Sequence, residues 1–372
     1  MKRIVLACLA ALCSAAMACA QKAEPNYQSK QPYKSWVNMA PKLEDDFFKT
    51  DEARRIGDNV LLYQQTTGGW PKNIYMPAAL DEKELEEVLS EKDDVNQSTI
   101  DNKATTTEIA YLARLYNVTH DEKYKKAIVD GINYLFKAQY DNGGWPQFYP
   151  RPKGYYTHIT YNDDAMINVM KLLRDVAKGK APFSFLPQDI RQQAETALYK
   201  GVDCILKTQV KQNGKLTVWC AQHDEHTLEP AKARAYELPS LSGAESDNIV
   251  LFLMTLPNPS PEVINCIEAA VAWFKESQIN GLKRETYTNA DGKKDFRMVP
   301  CPQSEECEPL WARFYTLEDN RPFFCDRDGI KRFDISEIGY ERRNGYSWYN
   351  DDGLKVFKKY EQWKKKLKKA AR

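Results

Sequence analysis

Four glutamines, Gln64, Gln139, Gln209 and Gln278, close apolar stretches at spacings of 75, 70 and 69 residues, and this repeat narrows the possible folds more than any other feature of the chain. Counting back from Gln139, apolar or small residues stand four, seven, eight, eleven and twelve places earlier, at Leu135, Ile132, Gly131, Ile128 and Ala127. The same offsets from Gln209 give Ile205, Val202, Gly201, Leu198 and Ala197, and from Gln278 they give Phe274, Val271, Ala270, Ile267 and Cys266. Such a stripe covers one side of a helix with 3.6 residues per turn. The small residue eight places back predicts close approach of a neighbour. The first copy fits less well, with Gly57 displaced by one place and Glu52 at the last position. Its helix is expected over 51–65, capped by Thr50 or Asp51. Between the repeats the pattern predicts returning helices over 102–116, 164–177 and 246–256. Stacked helical hairpins bury their stripes on one another, as an open solenoid or a closed toroid. An irregular helical domain with chance spacing is the plainer alternative. Loops after each glutamine would gather on one face, where chemistry is to be sought.

The flanks have a different character. Lys2 and Arg3, an apolar run from Ile4 to Leu12, and Ala18-Cys19-Ala20 have the layout of a secretory signal peptide over 1–20. Cys19 also permits lipidation. Export, to the periplasm or the medium, is therefore expected, with no membrane span. Residues 21–45 read as a polar lead-in and 46–372 as a single domain. After Gly281, residues 282–350 suggest short strands and ordered loops, and 354–371 a basic helix that packs with a solvated face. Six cysteines follow the signal segment, and Cys301 with Cys307, flanking a short loop, is the favoured bridge. A formal net charge of +1 supplies no global field for nucleic acid or an anionic membrane.

Four constellations could carry chemistry. Ser98 to Thr105 delivers Asp101, Asn102 and Lys103 to a helix start, where capping alone could explain them. Thr160 to Ala165 delivers Asn162, Asp163 and Asp164. Capping needs one acid, whereas two adjacent carboxylates beside an amide suit a hard divalent ion such as Ca²⁺. Lys232 to Glu237, bounded by Pro230 and Pro239, offers Arg234 to an anion, or is a surface salt-bridge loop. Beside it, His223 and His226 form an H-x-x-H pair that is a weak sign of zinc. Last, Arg313, Arg321, Arg327, Arg342 and Arg343 lie among Tyr315, Phe323, Tyr346 and Trp348. Nucleic-acid binders also mix arginine with aromatics, but an exported chain of near-zero charge makes an acidic polysaccharide the better partner.

Taken in order, Thr99-Ile100-Asp101-Asn102, Gly143-Gly144-Trp145-Pro146-Gln147, Ile159-Thr160-Tyr161-Asn162-Asp163-Asp164-Ala165-Met166, Ala233-Arg234-Ala235-Tyr236-Glu237 and Trp311-Ala312-Arg313-Phe314-Tyr315 with Arg327-Asp328-Gly329 resemble polysaccharide lyase family 10, the helical-toroid pectate lyases. The resemblance implies a mainly α chain, an (α/α) toroid with long loops and short strands lining one face. It implies Ca²⁺-dependent β-elimination of α-1,4-linked polygalacturonate to 4,5-unsaturated products by a monomer. Carried over, Arg234 is the expected base, with Asp101 beside the cleaved bond. Asp163, Asn102 and Asp164 are the expected calcium ligands. Arg313, Arg327, Lys103, Thr105 and Tyr346 are expected to hold substrate. A glycoside hydrolase on the same frame would use two carboxylates and water. A non-catalytic pectin-binding protein would also explain export, aromatics and arginines.

Overall fold

The computed structural model describes residues 33–150 and 153–370, so the signal-peptide segment lies outside the described residues. In chain order the helices are α1 (Tyr33–Met39), α2 (Asp51–Tyr63), α3 (Glu82–Ser90), α4 (Thr106–Thr119), α5 (Glu122–Ala138) and α6 (Ala165–Lys178). They continue as α7 (Gln188–Thr208), α8 (Glu245–Leu253), α9 (Pro261–Glu276), α10 (Tyr340–Asn344) and α11 (Asp352–Ala370). The repeat helices α2, α5, α7 and α9 pack in sequence order as one row, and α4, α6 and α8 as a second. Together they make an (α/α) toroid. The basic helix α11 packs on α8 and α9. Residues 33–42 are already helical, and buried Trp36 donates its indole N–H to Glu108 at 2.8 Å. The packed unit thus begins ahead of residue 46, inside what reads as a loose lead-in.

The repeated glutamine proves to be a clasp. Gln64, Gln139 and Gln209 stand at the C-caps of α2, α5 and α7. Each side-chain amide donates to a carbonyl of its own loop, that of Gly68, Gly143 or Thr217. Each also donates to the next helix of the row, at Ala127 (2.9 Å), Ala197 (2.8 Å) and Cys266 (3.0 Å). These acceptors stand at the twelfth place before the next glutamine, the end of each stripe. A tryptophan completes the device. Trp70, Trp145, Trp219 and Trp311 donate their indole N–H to the carbonyls of Val60, Leu135, Ile205 and Phe274, at 2.7 to 2.9 Å. Each carbonyl lies four places before a repeat glutamine, in the last turn, where a helix leaves acceptors unsatisfied.

The small residues serve the same joint. A Cβ on Gly131 would come within 2.8 Å of the Trp70 ring, and one on Gly201 within 3.0 Å of the Trp145 ring. Gly57, out of register in sequence, would meet Leu115 of α4 instead.

Beyond α9 the expected strands appear. Leu282–Thr288 and Lys294–Pro300 form an antiparallel hairpin, and Cys301 bonds Cys307. Cys204, Cys220, Cys266 and Cys325 are free and buried. A four-stranded sheet runs in the order Lys331–Arg332, Pro322–Cys325, Phe314–Tyr315, Leu241–Ser242. It joins the C-terminal loops to the segment before α8. Beneath these loops Tyr236, Phe296, Phe314, Phe323, Phe324 and Trp348 form a small core of their own. That second core anchors the loop carrying Arg234.

Candidate active site

The second-row helices α4 and α6 begin on matched turns. Residues Asp101–Lys103 and Asn162–Asp164 each make one 3-10 turn, and the two turns lie side by side. In each, two consecutive residues without glycine's freedom adopt left-handed backbone. These are Asn102 (φ 50°) with Lys103 (φ 65°), and Asp163 (φ 51°) with Asp164 (φ 61°). Left-handed backbone costs an L-residue roughly 1–2 kcal/mol, so each pair must be held by its surroundings. For the first turn the brace is Thr105, fully buried, whose hydroxyl accepts from Trp70 N–H and donates to the Thr99 carbonyl. Thr105 thus spends its hydroxyl on the frame and offers none to a ligand. The helices expected from 102 and 164 start at Thr106 and Ala165, because these turns precede them.

Around the turns the polar groups connect. Lys72 Nζ meets Asp101 Oδ2 at 2.5 Å, and Asn102 Nδ2 donates to Asn73 Oδ1. Arg313 reaches across with Nη2, to buried Glu245 at 2.5 Å, Asn162 Oδ1 at 3.4 Å and Asp163 Oδ1 at 3.7 Å. Burial pushes the Glu245 carboxyl up, against the pull of Arg313. Burial likewise raises Asp164, opposed by the charge of Lys171, while Asn248 donates to its Oδ2 at 3.1 Å. The Arg313 guanidinium stacks 4.6 Å from the Tyr346 ring, and Tyr346 donates its hydroxyl to Glu237 at 2.8 Å. Glu237 in turn grips Arg234, with Nε to Oε2 at 2.7 Å and Nη2 to Oε1. The opposite side runs from Lys72, 5.3 Å from the Phe148 ring, through Tyr156 to Tyr155, which interacts electrostatically with Arg234 and Glu237. Asp101, Asp163, Arg313 and Arg234 therefore share one perimeter.

The family model for pectic acid lyase matches residues 64–357, most of the chain. The chain belongs to the pectic acid lyase family. Two solved structures of family 10 polysaccharide lyase from Cellvibrio cellulosa, one of them a mutant in complex with trigalacturonic acid, are similar to it. Each is 38% identical, with a TM-score of 0.72, over 89% of this chain and 97% or 96% of the other. A search of curated proteins finds no match.

Within this lyase, the sequence-predicted residues divide. Asp101, Asn102, Lys103, Asp163 and Asp164 gather at the paired turns, with Arg313, Tyr346 and Arg234 beyond. Arg327 stands further out, two-thirds exposed and paired with Glu341, its guanidinium 5.8 Å from the Tyr236 ring. The H-x-x-H pair does not form a site. His223 is fully buried, its Nε2 accepting from Cys220 N–H and its Nδ1 bonded to the Leu228 carbonyl, while His226 is exposed. Burial holds His223 down to about 4. Sequence reasoning passed over Lys72, Glu245 and the grip of Glu237, which the perimeter requires. The acids follow Arg234 by three and Ser242 by three, a turn-closing interval that could have flagged them.

The donors at the turns suit a hard ion. Asp163 keeps 47% of its side chain exposed and, with the side-chain oxygen of Asn102, offers oxygen alone. Each of the three carboxylates already has one oxygen engaged: Asp101 with Lys72, Asp163 with the Asn162 side-chain amide at 2.8 Å, and Asp164 with Asn248.

Proposed function

We propose that this pectate lyase cleaves polygalacturonate by calcium-dependent β-elimination, with Arg234 taking the C5 proton. The observation that carries the reading is the shared perimeter, which sets Arg313 and Arg234 across from the carboxylates of the paired turns. A polyanion needs cations to bind, and Arg234 and Arg327, over the Tyr236 ring with 43% and 64% of their side chains exposed, offer them, while Arg313 and Arg342 are buried against the Tyr346 and Tyr236 rings.

In β-elimination the C5 proton leaves beside the uronate carboxylate, and the C4–O4 bond breaks. The carboxylate's charge opposes the electron density that builds at C5, so it must be neutralised. Calcium, when bound, supplies part of that positive charge. Arg313 supplies more, being buried, already paired and preorganised. Asp163 and Asn102 would hold the ion, with Asp164 behind them on Asn248. Asp101, fixed by Lys72, stands beside the scissile bond. Arg234 is a demanding base, since guanidinium stays charged far above neutrality. Alkaline conditions are therefore expected to speed turnover. The N-terminal segment fits export, which would bring the enzyme to its polymer.

The test is polygalacturonate with calcium, followed for near-ultraviolet absorbance of the unsaturated product and repeated with EDTA. Absorbance that grows with calcium and stops with chelator supports the reading, and viscosity loss without absorbance would indicate hydrolysis instead. Arg234→Ala with near-normal turnover would remove arginine from the role of base.

A further inference from the structure

Arg234 is held more tightly than a base needs to be. Two of its nitrogens, Nε and Nη2, lie on the two oxygens of Glu237, and its backbone N–H donates to the same carboxylate at 3.1 Å. Glu237 returns the bond through its own N–H to the Arg234 carbonyl at 2.9 Å. The turn 234–237 is thus closed from both ends. Glu237 is buried, with 4% of its side chain exposed, whereas Arg234 keeps 43%. The exposed part of the guanidinium is therefore not the edge against Glu237, which leaves Nη1 as the nitrogen able to meet a ligand.

We propose that Glu237 is the positioning residue for the proton-abstracting arginine, fixing the Nε–Nη2 edge so that Nη1 meets the substrate and setting by its charge the pH range in which Arg234 can act. The proposal rests on Arg234 being the base. The groups that face this guanidinium are Glu237 on its own turn, the Tyr236 ring at 5.0 Å, the Tyr346 ring at 5.9 Å, and Tyr155 from the opposite wall. Arg313 lies over the Tyr346 ring, and Arg327 and Arg342 over the Tyr236 ring. Burial alone would lower the Arg234 pKa, but the hydrogen bond and charge of Glu237 outweigh it and raise it. A carboxylate in this place costs the base proton-accepting readiness and gives it a fixed aim. Tyr346 moderates the cost by donating to Oε1, which spreads the negative charge.

The experiment compares wild type, Glu237→Gln, Glu237→Asp and Tyr346→Phe, reading unsaturated product across pH 6 to 11 on the full-length enzyme, with circular dichroism as the folding check. Glu237→Gln removes charge, so the rising limb of kcat/KM is expected about one unit lower in pH, with kcat down at least roughly tenfold and KM within about threefold. Glu237→Asp keeps charge and loses reach, so kcat falls while the limb stays in place. Tyr346→Phe concentrates charge on Glu237 and moves the limb upward, which keeps the proposal testable should both Glu237 variants misfold. An unmoved limb in a folded Glu237→Gln, or a limb unmoved in Tyr346→Phe when the Glu237 variants misfold, overturns the positioning role. Absence of unsaturated product from wild type would instead overturn the lyase chemistry on which the proposal stands.

Discussion

The turn before α4 and the turn before α6 share a backbone and differ in chemistry. Aligned on their left-handed pairs, Asp101 matches Asn162, Asn102 matches Asp163, and Lys103 matches Asp164. The first turn reads acid, amide, cation, and the second reads amide, acid, acid. Repetition thus supplied two like turns, or brackets, and substitution left the second with two carboxylates and the first with a single acid paired to Lys72. The two turns then part: Ala104 and Thr105, the latter also left-handed at φ 64°, separate Lys103 from α4, whereas Asp164 leads directly into α6. Structural repetition and functional asymmetry occupy the same dozen residues.

The largest expected effect comes from breaking the second bracket. Asp163→Ala should lower kcat/KM by roughly 10²–10³-fold, with more calcium needed for half-maximal rate, as loss of a charged donor in a preorganised site does. Asn102→Ala, its counterpart, should cost about tenfold or less. Steady-state kinetics over a calcium series measures both. Equal losses would mean that the two turns share the ion evenly, and the asymmetry drawn above would be wrong.

Next is Glu108, buried in the first turn of α4. Burial, against the Trp36 hydrogen bond, holds the Glu108 carboxyl up at about 7, where its ordinary value is 4.5. Between those values the folded chain keeps a proton that the unfolded chain releases. Stability therefore falls as pH rises from about 4.5 to 7 and is level above, by an amount of roughly 3 kcal/mol. Glu108→Gln keeps an oxygen for Trp36 and carries no charge, so its thermal midpoint should not fall between pH 5 and 8 through this group. A wild type and variant that lose the same number of degrees across that range would contradict the assignment.

How much of this could be read from residues alone follows the same division. The stripe behind Gln139 and Gln209 was legible because helical burial imposes a period that composition cannot hide. The partner of that glutamine was not, since the twelfth-place carbonyl belongs to a backbone and leaves no mark in sequence. Trp219 and Trp311 repeat the job of Trp70 and Trp145 without the Gly-Gly before them, so the motif concealed half of its own copies. At the site, Asp101, Asn102, Asp163 and Asp164 stood out as polar residues in excess of what capping needs. Their left-handed conformation did not, because neither turn contains glycine. Glu237 was visible as an acid near Arg234, yet only the fold shows both oxygens committed to it.

The clasp offers a smaller effect on the scaffold side. Gln139→Ala removes two hydrogen bonds to backbone carbonyls, Gly143 and Ala197, and should cost about 1–3 kcal/mol. A thermal midpoint lower by a few degrees, with kcat at 25 °C unchanged, is the expected result. A matching loss of kcat would mean that the row of repeat helices also tunes the turns.

The smallest effect, and the finest probe of the two brackets, is Lys103→Ala. Lys103 occupies the place that Asp164 holds in the second turn, and its charge acts on Asp164 across the gap between them. Removing it takes a cation away from the substrate side and, by the same change, leaves the carboxylates of the second turn with more negative charge for an ion. Substrate binding should weaken and calcium binding strengthen, each by a few-fold, about 1 kcal/mol for one half-buried charge. Because the two changes oppose one another, kcat/KM at saturating calcium should fall slightly while the calcium concentration for half-maximal rate also falls. Both constants moving in the same unfavourable direction would place Lys103 among the groups that hold the turn's shape, and the first bracket would then be scaffold rather than site.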